Sequence, residues 1–179
     1  MRHEVRFSGF GGQGIILSAV ILGRAAVMYD GIYAVQTQVY GPEARGGASM
    51  SSVIIDEAPI LYPKVKDPDI LVMMSQEGFE KYGVSAREDA VMIIDSSLVQ
   101  SRPRCRYLEI PATTEAKNTL GREIVANIIM LGALVRATGI VREESIEKAI
   151  LDSVPKGTES LNIKAMKRGM ELVPGGKIG

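Results

Sequence analysis

At 179 residues, 46 % apolar and 23 % charged, the chain has the composition of a folded domain with a real core, not of a disordered tail or a fibre. Its 21 basic and 21 acidic residues cancel, which leaves no basic footprint for nucleic acid. A single cysteine excludes an internal disulfide, and any iron–sulfur cluster held by this chain alone.

The start does not read as a secretory signal, because Arg2-His3-Glu4 leads straight into a short strand. The most apolar run, residues 15–28, is broken by Ser18, Gly23 and Arg24 and is too short to span a bilayer. The expectation is one domain over residues 1–179, in a reducing cytoplasmic setting, without membrane contact.

Residues 4–8 read as a strand, and the loop Gly9-Phe10-Gly11-Gly12-Gln13-Gly14 delivers the chain into a helix over residues 14–29. That helix is apolar on nearly every face, which predicts burial between a sheet and a second layer. Gly31 stops it, and residues 33–39 form a second strand. The opening therefore reads as a β-loop-α-β unit suited to a parallel crossover between neighbouring strands. After a second glycine-rich loop, residues 51–56 are a strand, and Ala58-Pro59-Ile60 begins another across a tight turn, which predicts a hairpin there.

Residues 70–74 and 90–94 are continuous apolar runs of the buried-strand type, with a short helix over residues 76–82 between them. Residues 106–110 are a last strand. From Thr113 the pattern turns helical: residues 123–138 carry a wide apolar stripe ending at Gly139, and further helices follow over residues 143–154 and 158–172. The fold expected is α/β, a layered arrangement with a mostly parallel sheet and C-terminal helices.

Gly9, Gly11, Gly12 and Gly14 lie between a strand and a helix, so the first loop satisfies G-x-G-x-x-G in the right context. A dinucleotide site also needs an acidic residue at the end of the second strand, to bond the ribose hydroxyls. That strand ends Gln36-Thr37-Gln38-Val39-Tyr40, and Asp30 stands at its wrong end. No Gly-Lys-Ser/Thr follows, which excludes a P-loop. Three readings stay open for Gly9, Gly11, Gly12, Gln13 and Gly14: an NAD(P) site, contact with the anionic part of a cofactor, and close packing.

The second loop, Tyr40-Gly41-Pro42-Glu43-Ala44-Arg45-Gly46-Gly47-Ala48-Ser49, combines a φ-fixing proline with glycines and a charged pair. Arg45 offers a planar fork for phosphate or carboxylate, and Glu43 is placed to orient it; the same two groups also suit a loop brace. Both loops follow strands and should emerge at the carboxyl edge of the sheet, where ligands of such folds bind. Gly41, Pro42, Glu43, Arg45, Gly46, Gly47 and Ser49 join the first loop as a cofactor-binding or subunit-contact surface. Elsewhere, Asp95 reads as a helix cap, and Asn127 as an amide bonding a loop carbonyl or a partner chain. Cys105 between two arginines has no histidine near it in sequence, since His3 is the only one; neither a catalytic residue nor a metal site is expected. Arg142-Glu143-Glu144 and residues 164–168 read as solvated helix faces.

The two loops, with Gln38-Val39-Tyr40 leading into the second, resemble the gamma subunit of the 2-oxoacid:ferredoxin oxidoreductases. Tyr62-Pro63-Lys64-Val65, the helix around Asn127 and Leu161-Asn162-Ile163-Lys164-Ala165 extend the likeness over nearly the whole chain. The Tyr-Gly-Pro-Glu-x-Arg-Gly-Gly form resembles the 2-oxoglutarate and branched-chain members more than the pyruvate ones. The resemblance implies a Rossmann-like subunit of an enzyme that decarboxylates a 2-oxoacid, forms acyl-coenzyme A and reduces ferredoxin. It further implies that alpha and beta subunits, with a ferredoxin-like delta subunit as a further candidate partner, carry thiamine diphosphate, magnesium and the iron–sulfur clusters. Coenzyme A is then a substrate, and this chain binds no cofactor alone. The chain has no Gly-Asp-Gly stretch followed by asparagine with which to hold a metal diphosphate. A free-standing NAD(P)-dependent oxidoreductase and a pure docking scaffold are the alternatives.

Overall fold

A computed structural model describes residues 1–39, 47–84 and 86–175. Strand β1 (His3–Phe10) passes through the first glycine loop into helix α1 (Ile15–Arg24), which widens into one π-helical turn over Ala25–Tyr29. Strands β2 (Tyr33–Gln38) and β3 (Ala48–Asp56) follow, and an irregular stretch leads to β4 (Ile70–Met73). Helix α2 (Gln76–Tyr82) comes next; Ser75 caps it by accepting from the Gly78 N–H at 2.9 Å. After β5 (Val91–Asp95) and β6 (Arg106–Ile110) come α3 (Ala112–Asn118), α4 (Ala126–Thr138), α5 (Glu143–Leu151) and α6 (Glu159–Glu171).

The strands form one sheet in the order β2-β3-β1-β4-β5-β6. β1, β4, β5 and β6 pair in parallel, while β3 lies antiparallel to both β1 and β2. β3 is thus the one reversed strand among the described residues, and the layered α/β architecture with a mostly parallel sheet is the one expected. Side chains alternate across it. Val5, Phe7, Val53, Ile55, Ile70, Val72 and Ile93 pack toward α1 and α4–α6, whereas Leu71, Met73, Met92 and Ile94 pack on Phe79 of α2 and on Val99.

Three expectations change. The opening β-loop-α-β unit does not join neighbouring strands, because β3 is inserted between β1 and β2. The short connection after β2 can only reverse the chain, so β2 and β3 make an antiparallel hairpin instead of awaiting a crossover. The hairpin expected around residues 51–60 is absent: Ala58-Pro59-Ile60 is irregular, with the Ala58 N–H turned back onto Asp56 Oδ1 at 3.2 Å. Finally, α1 is covered on one side only, and the helix enclosed all round is α4, where Ala126 to Val135 is buried without a break.

That enclosure is made possible by glycine. A Cβ on Gly132 of α4 would sit 2.9 Å from the Met166 carbonyl carbon of α6, and one on Gly169 of α6 would sit 2.8 Å from the Ile129 carbonyl carbon of α4. The two helices therefore touch backbone to backbone, and any larger residue at either position must push them apart.

Candidate functional site

The carboxyl ends of the parallel strands gather at one edge, and the first glycine loop lies there. Its shape is set from inside. Gln13 Oε1 accepts from the Phe10 N–H at 2.6 Å, and Gln13 Nε2 donates to the Met74 carbonyl at 3.0 Å. One side chain thus closes the loop on itself and ties the end of β1 to the end of β4. Ser8, buried at the end of β1, donates to the Ser49 carbonyl at 2.9 Å, which ties β1 to the start of β3.

Gly14 is the N-cap of α1, at φ 76°, ψ 25°, the left-handed region that disfavours a Cβ. Steric room forbids one as well, since a Cβ there would lie 2.8 Å from Asn127 Cγ. Asn127, buried in apolar α4, donates from Nδ2 to the Gly14 carbonyl at 3.2 Å, so its amide bonds a loop carbonyl as expected. Gly12 differs: at φ 91° it needs the same left-handed freedom, yet nothing lies within 4 Å of where its Cβ would be. Gly11 and Gly12 are exposed and Gln13 and Gly14 half-buried. Packing accounts for Gly14, while Gly12 faces open space.

Among the described residues, α1 has no capping side chain and no acid in its first turn. Its N–H groups and dipole therefore make a mildly positive end beside the loop. A cleft of about 300 Å³ adjoins it, lined by Gly12, Gln13, Met74, Thr113, Glu123, Ile124 and Ala126. Met74, Thr113 and Ile124 were not singled out in the sequence. Thr113 follows a strand end at Ile110-Pro111, the one local signal that placed it at this edge; Met74 and Ile124 looked like ordinary core residues. Ile124 is instead 69 % exposed at the mouth.

Asp95 ends β5 at the same edge and is fully engaged. Its Oδ1 accepts from the Ser97 N–H at 3.1 Å, and its Oδ2 from the Thr113 N–H at 3.1 Å and the Thr113 hydroxyl at 2.5 Å. Burial raises its pKa, opposed by those bonds. No helix starts at Asp95 as a local N-cap would require, since residues 96–98 form a turn; its carboxylate instead reaches Thr113 in the first turn of α3 and joins β5 to that helix.

Of the second loop, Gly41, Pro42, Glu43, Arg45 and Gly46 lie outside the described residues. Gly47 and Ser49 are described, at the start of β3, where Ser49 stands opposite Gly9. β1 and β2 run in the same direction, so their carboxyl ends share this edge even though β3 separates them.

The topology removes the dinucleotide reading further. The strands flanking β1 are β3, reversed, and β4, which leads into Met74 and Ser75, so among the described residues no acid stands at the ribose position beside the loop. Asp30 is committed elsewhere: Arg142 Nε donates to it at 2.7 Å and the Ser145 hydroxyl at 2.5 Å. Burial raises its pKa and these bonds outweigh that, leaving it below its ordinary value. Arg142 is thus an ion-pair partner and not simply a solvated residue, as is Arg168, which pairs Glu115 at 2.8 Å.

The donor set does not fit an iron–sulfur cluster: the one cysteine, Cys105, is buried, and burial raises its pKa. Among the described residues, no three of His, Cys, Asp or Glu are grouped to hold a metal, and no helix is long and apolar enough to cross a membrane.

Residues 4–172 match the family model described as pyruvate ferredoxin/flavodoxin oxidoreductase. The chain is 55 % identical to the 2-oxoglutarate synthase subunit KorC of Methanocaldococcus jannaschii, over 96 % of this chain and 94 % of that one. It is 34 % identical to the pyruvate/ketoisovalerate oxidoreductases common subunit gamma of Pyrococcus abyssi, over 94 % and 95 %. The crystal structure of a keto/oxoacid ferredoxin oxidoreductase gamma subunit from Geobacter sulfurreducens superposes with a TM-score of 0.86 at 47 % identity, over 94 % of this chain and 96 % of that one.

Proposed function

The chain belongs to the pyruvate ferredoxin/flavodoxin oxidoreductase family, and on that premise we propose that it is the gamma subunit of a multi-subunit 2-oxoacid:ferredoxin oxidoreductase of the 2-oxoglutarate synthase type. The observation that carries this reading is the near full-length likeness to a 2-oxoglutarate synthase subunit at 55 % identity, against 34 % for a pyruvate/ketoisovalerate gamma subunit. The whole chain acts as one gamma-type domain in the cytoplasm. The assembled enzyme decarboxylates 2-oxoglutarate, transfers the acyl group to coenzyme A and passes two electrons to ferredoxin. Thiamine diphosphate, with magnesium, supplies the electron sink for decarboxylation on a partner subunit, and iron–sulfur clusters on partners carry the electrons away.

This chain's own part is to bind and position. The carboxyl-edge surface combines the exposed Gly11 and Gly12, the mildly positive end of α1 and the cleft at Thr113 and Ile124. Together with Gly41, Pro42, Glu43, Arg45, Gly46, Gly47 and Ser49, it meets a partner subunit and the anionic part of coenzyme A. Gln13, Ser8 and Asn127 hold the backbone of that surface in place, and no group of the chain breaks or forms a bond in the substrate.

Reconstitution tests the reading. Purified alpha and beta subunits, with the delta subunit if it co-purifies, are assayed for coenzyme-A-dependent viologen reduction with 2-oxoglutarate, with and without this chain. Activity should depend on its addition, and the chain alone should turn over nothing. Full activity of the remaining subunits without it refutes the proposal. Arg45→Ala separates positioning from scaffolding: a raised KM for coenzyme A in an intact complex supports positioning, and dissociation alone supports a scaffold. Heat on titration with NAD or NADP would restore the dinucleotide reading.

A further inference from the structure

Helix α1 is apolar on most sides, yet the fold covers only one of them. Ile15, Ala19, Ile21 and Leu22 pack inward, while Ile16 is 40 %, Leu17 36 %, Val27 47 % and Met28 70 % exposed. Their spacing makes one stripe along the helix. Beside the stripe runs a groove of about 350 Å³ toward β2, lined by Val20, Gly23, Val27, Met28 and Ala34, with Arg24 and Gln36 as its polar members. In the sheet of described residues β2 is an edge strand, and residues 32–39 contain neither a charge nor a proline, the usual guards of an open edge.

Two further observations bear on what covers this flank. The first is its charge. Arg24 is the one ionisable residue lining the groove among the described residues, and its guanidinium is drawn off to the Asp152 carbonyl at 3.0 Å and the Ser153 hydroxyl at 3.2 Å. Both partners are neutral, so apart from this one guanidinium the groove offers a charged group no counter-ion, and it selects a mainly apolar occupant that brings no positive charge. The second is position. The stripe begins at Ile16 and Leu17, in the first turn of the helix that the glycine loop opens, and Phe10 of that loop is itself 41 % exposed. It ends on the π-helical turn, closed by the Asp30 N–H to the Ala25 carbonyl at 3.0 Å, which carries Val27 and Met28; such turns recur at functional positions.

We propose that the flank formed by the outer stripe of α1 and the edge of β2 is the docking surface for a partner subunit of the same enzyme, which lays a mainly apolar segment without positive charge along the groove. The inference rests on the reading of this chain as one subunit of several, and it names the face used. A partner that completes the glycine-loop surface reaches the first turn of α1 by continuity, and the stripe extends that contact along the helix. This also accounts for a helix whose sequence asks for burial on both sides.

The test compares the affinity of this chain for its purified partner subunits, by native mass spectrometry and biolayer interferometry, with that of Val27→Glu and Met28→Lys. Both positions are exposed, so the variants should keep the wild-type circular dichroism spectrum and melting temperature; Met28→Leu serves as the conservative control. Each charged variant should bind at least tenfold more weakly, whereas Met28→Leu and Tyr107→Lys, on the strand at the other end of the sheet, should bind as the wild type does. Equal binding by the charged variants overturns the proposal. So does a dimer of the isolated chain by light scattering that Met28→Lys dissolves, since the occupant is then a second copy. If the wild-type chain binds no partner at all, the subunit reading fails, and this proposal with it.

Discussion

Gly14→Ala should destabilise the fold by about 3 kcal/mol, and the cost should depend on Asn127. Holding alanine at φ 76° costs about 1–2 kcal/mol from Cβ strain in the left-handed region. Its Cβ would then sit 2.8 Å from Asn127 Cγ, so the buried amide must move and give up its 3.2 Å bond to the Gly14 carbonyl, about 1 kcal/mol more. In an Asn127→Ala background only the strain remains, so the double-mutant cycle should show a coupling of about 1–2 kcal/mol. Urea unfolding of the four proteins measures it. Additivity within about 0.5 kcal/mol would show that residues 14 and 127 do not sense each other, and the packing account of this glycine would be wrong. Gly12→Ala is the matched comparison: the same kind of backbone strain, no clash, no coupling to Asn127. A loss of reconstituted activity beyond that stability cost would mark Gly12 as part of the contact surface.

Other parts of the structure give sharper or simpler tests. Asp95 has its pKa raised by burial, so the folded state binds its proton more tightly than the unfolded chain, and stability from this group falls as pH rises above about 4. Asp95→Asn removes that slope; its deficit relative to the wild type in urea melts should be largest in acid and shrink toward pH 7, and the opposite trend refutes the assignment. Gly132→Ala improves helix propensity yet should lower stability by about 2–3 kcal/mol, because the new methyl meets the α6 backbone; a higher melting temperature would contradict the close approach of α4 and α6. Gln13→Leu removes the internal closure of the loop and should cost about 1–3 kcal/mol, with faster hydrogen exchange at the Phe10 amide as its local signature.

What the sequence determined by itself was the set of elements and the kind of molecule. The apolar runs at 70–74 and 90–94 and the stripe over 123–138 are local patterns with the period of the structure they form, and the strands and helices fall where those patterns lie. The first glycine loop was likewise legible, as was the family, because their chemistry is written in consecutive residues. The tertiary structure decided the neighbours. Nothing local in residues 48–56 says that this strand enters between β1 and β2, since register and order follow from which faces the assembled sheet must bury. The pairing of Asn127 with Gly14 spans 113 residues, and the cleft that joins Thr113 and Ile124 to the first loop is likewise made by chain segments far apart in sequence. The one place where the sequence asks for more than the fold supplies is α1, whose pattern calls for a second layer. A single chain of this topology has only one sheet face to offer that helix, so its outer stripe is left for another surface to cover.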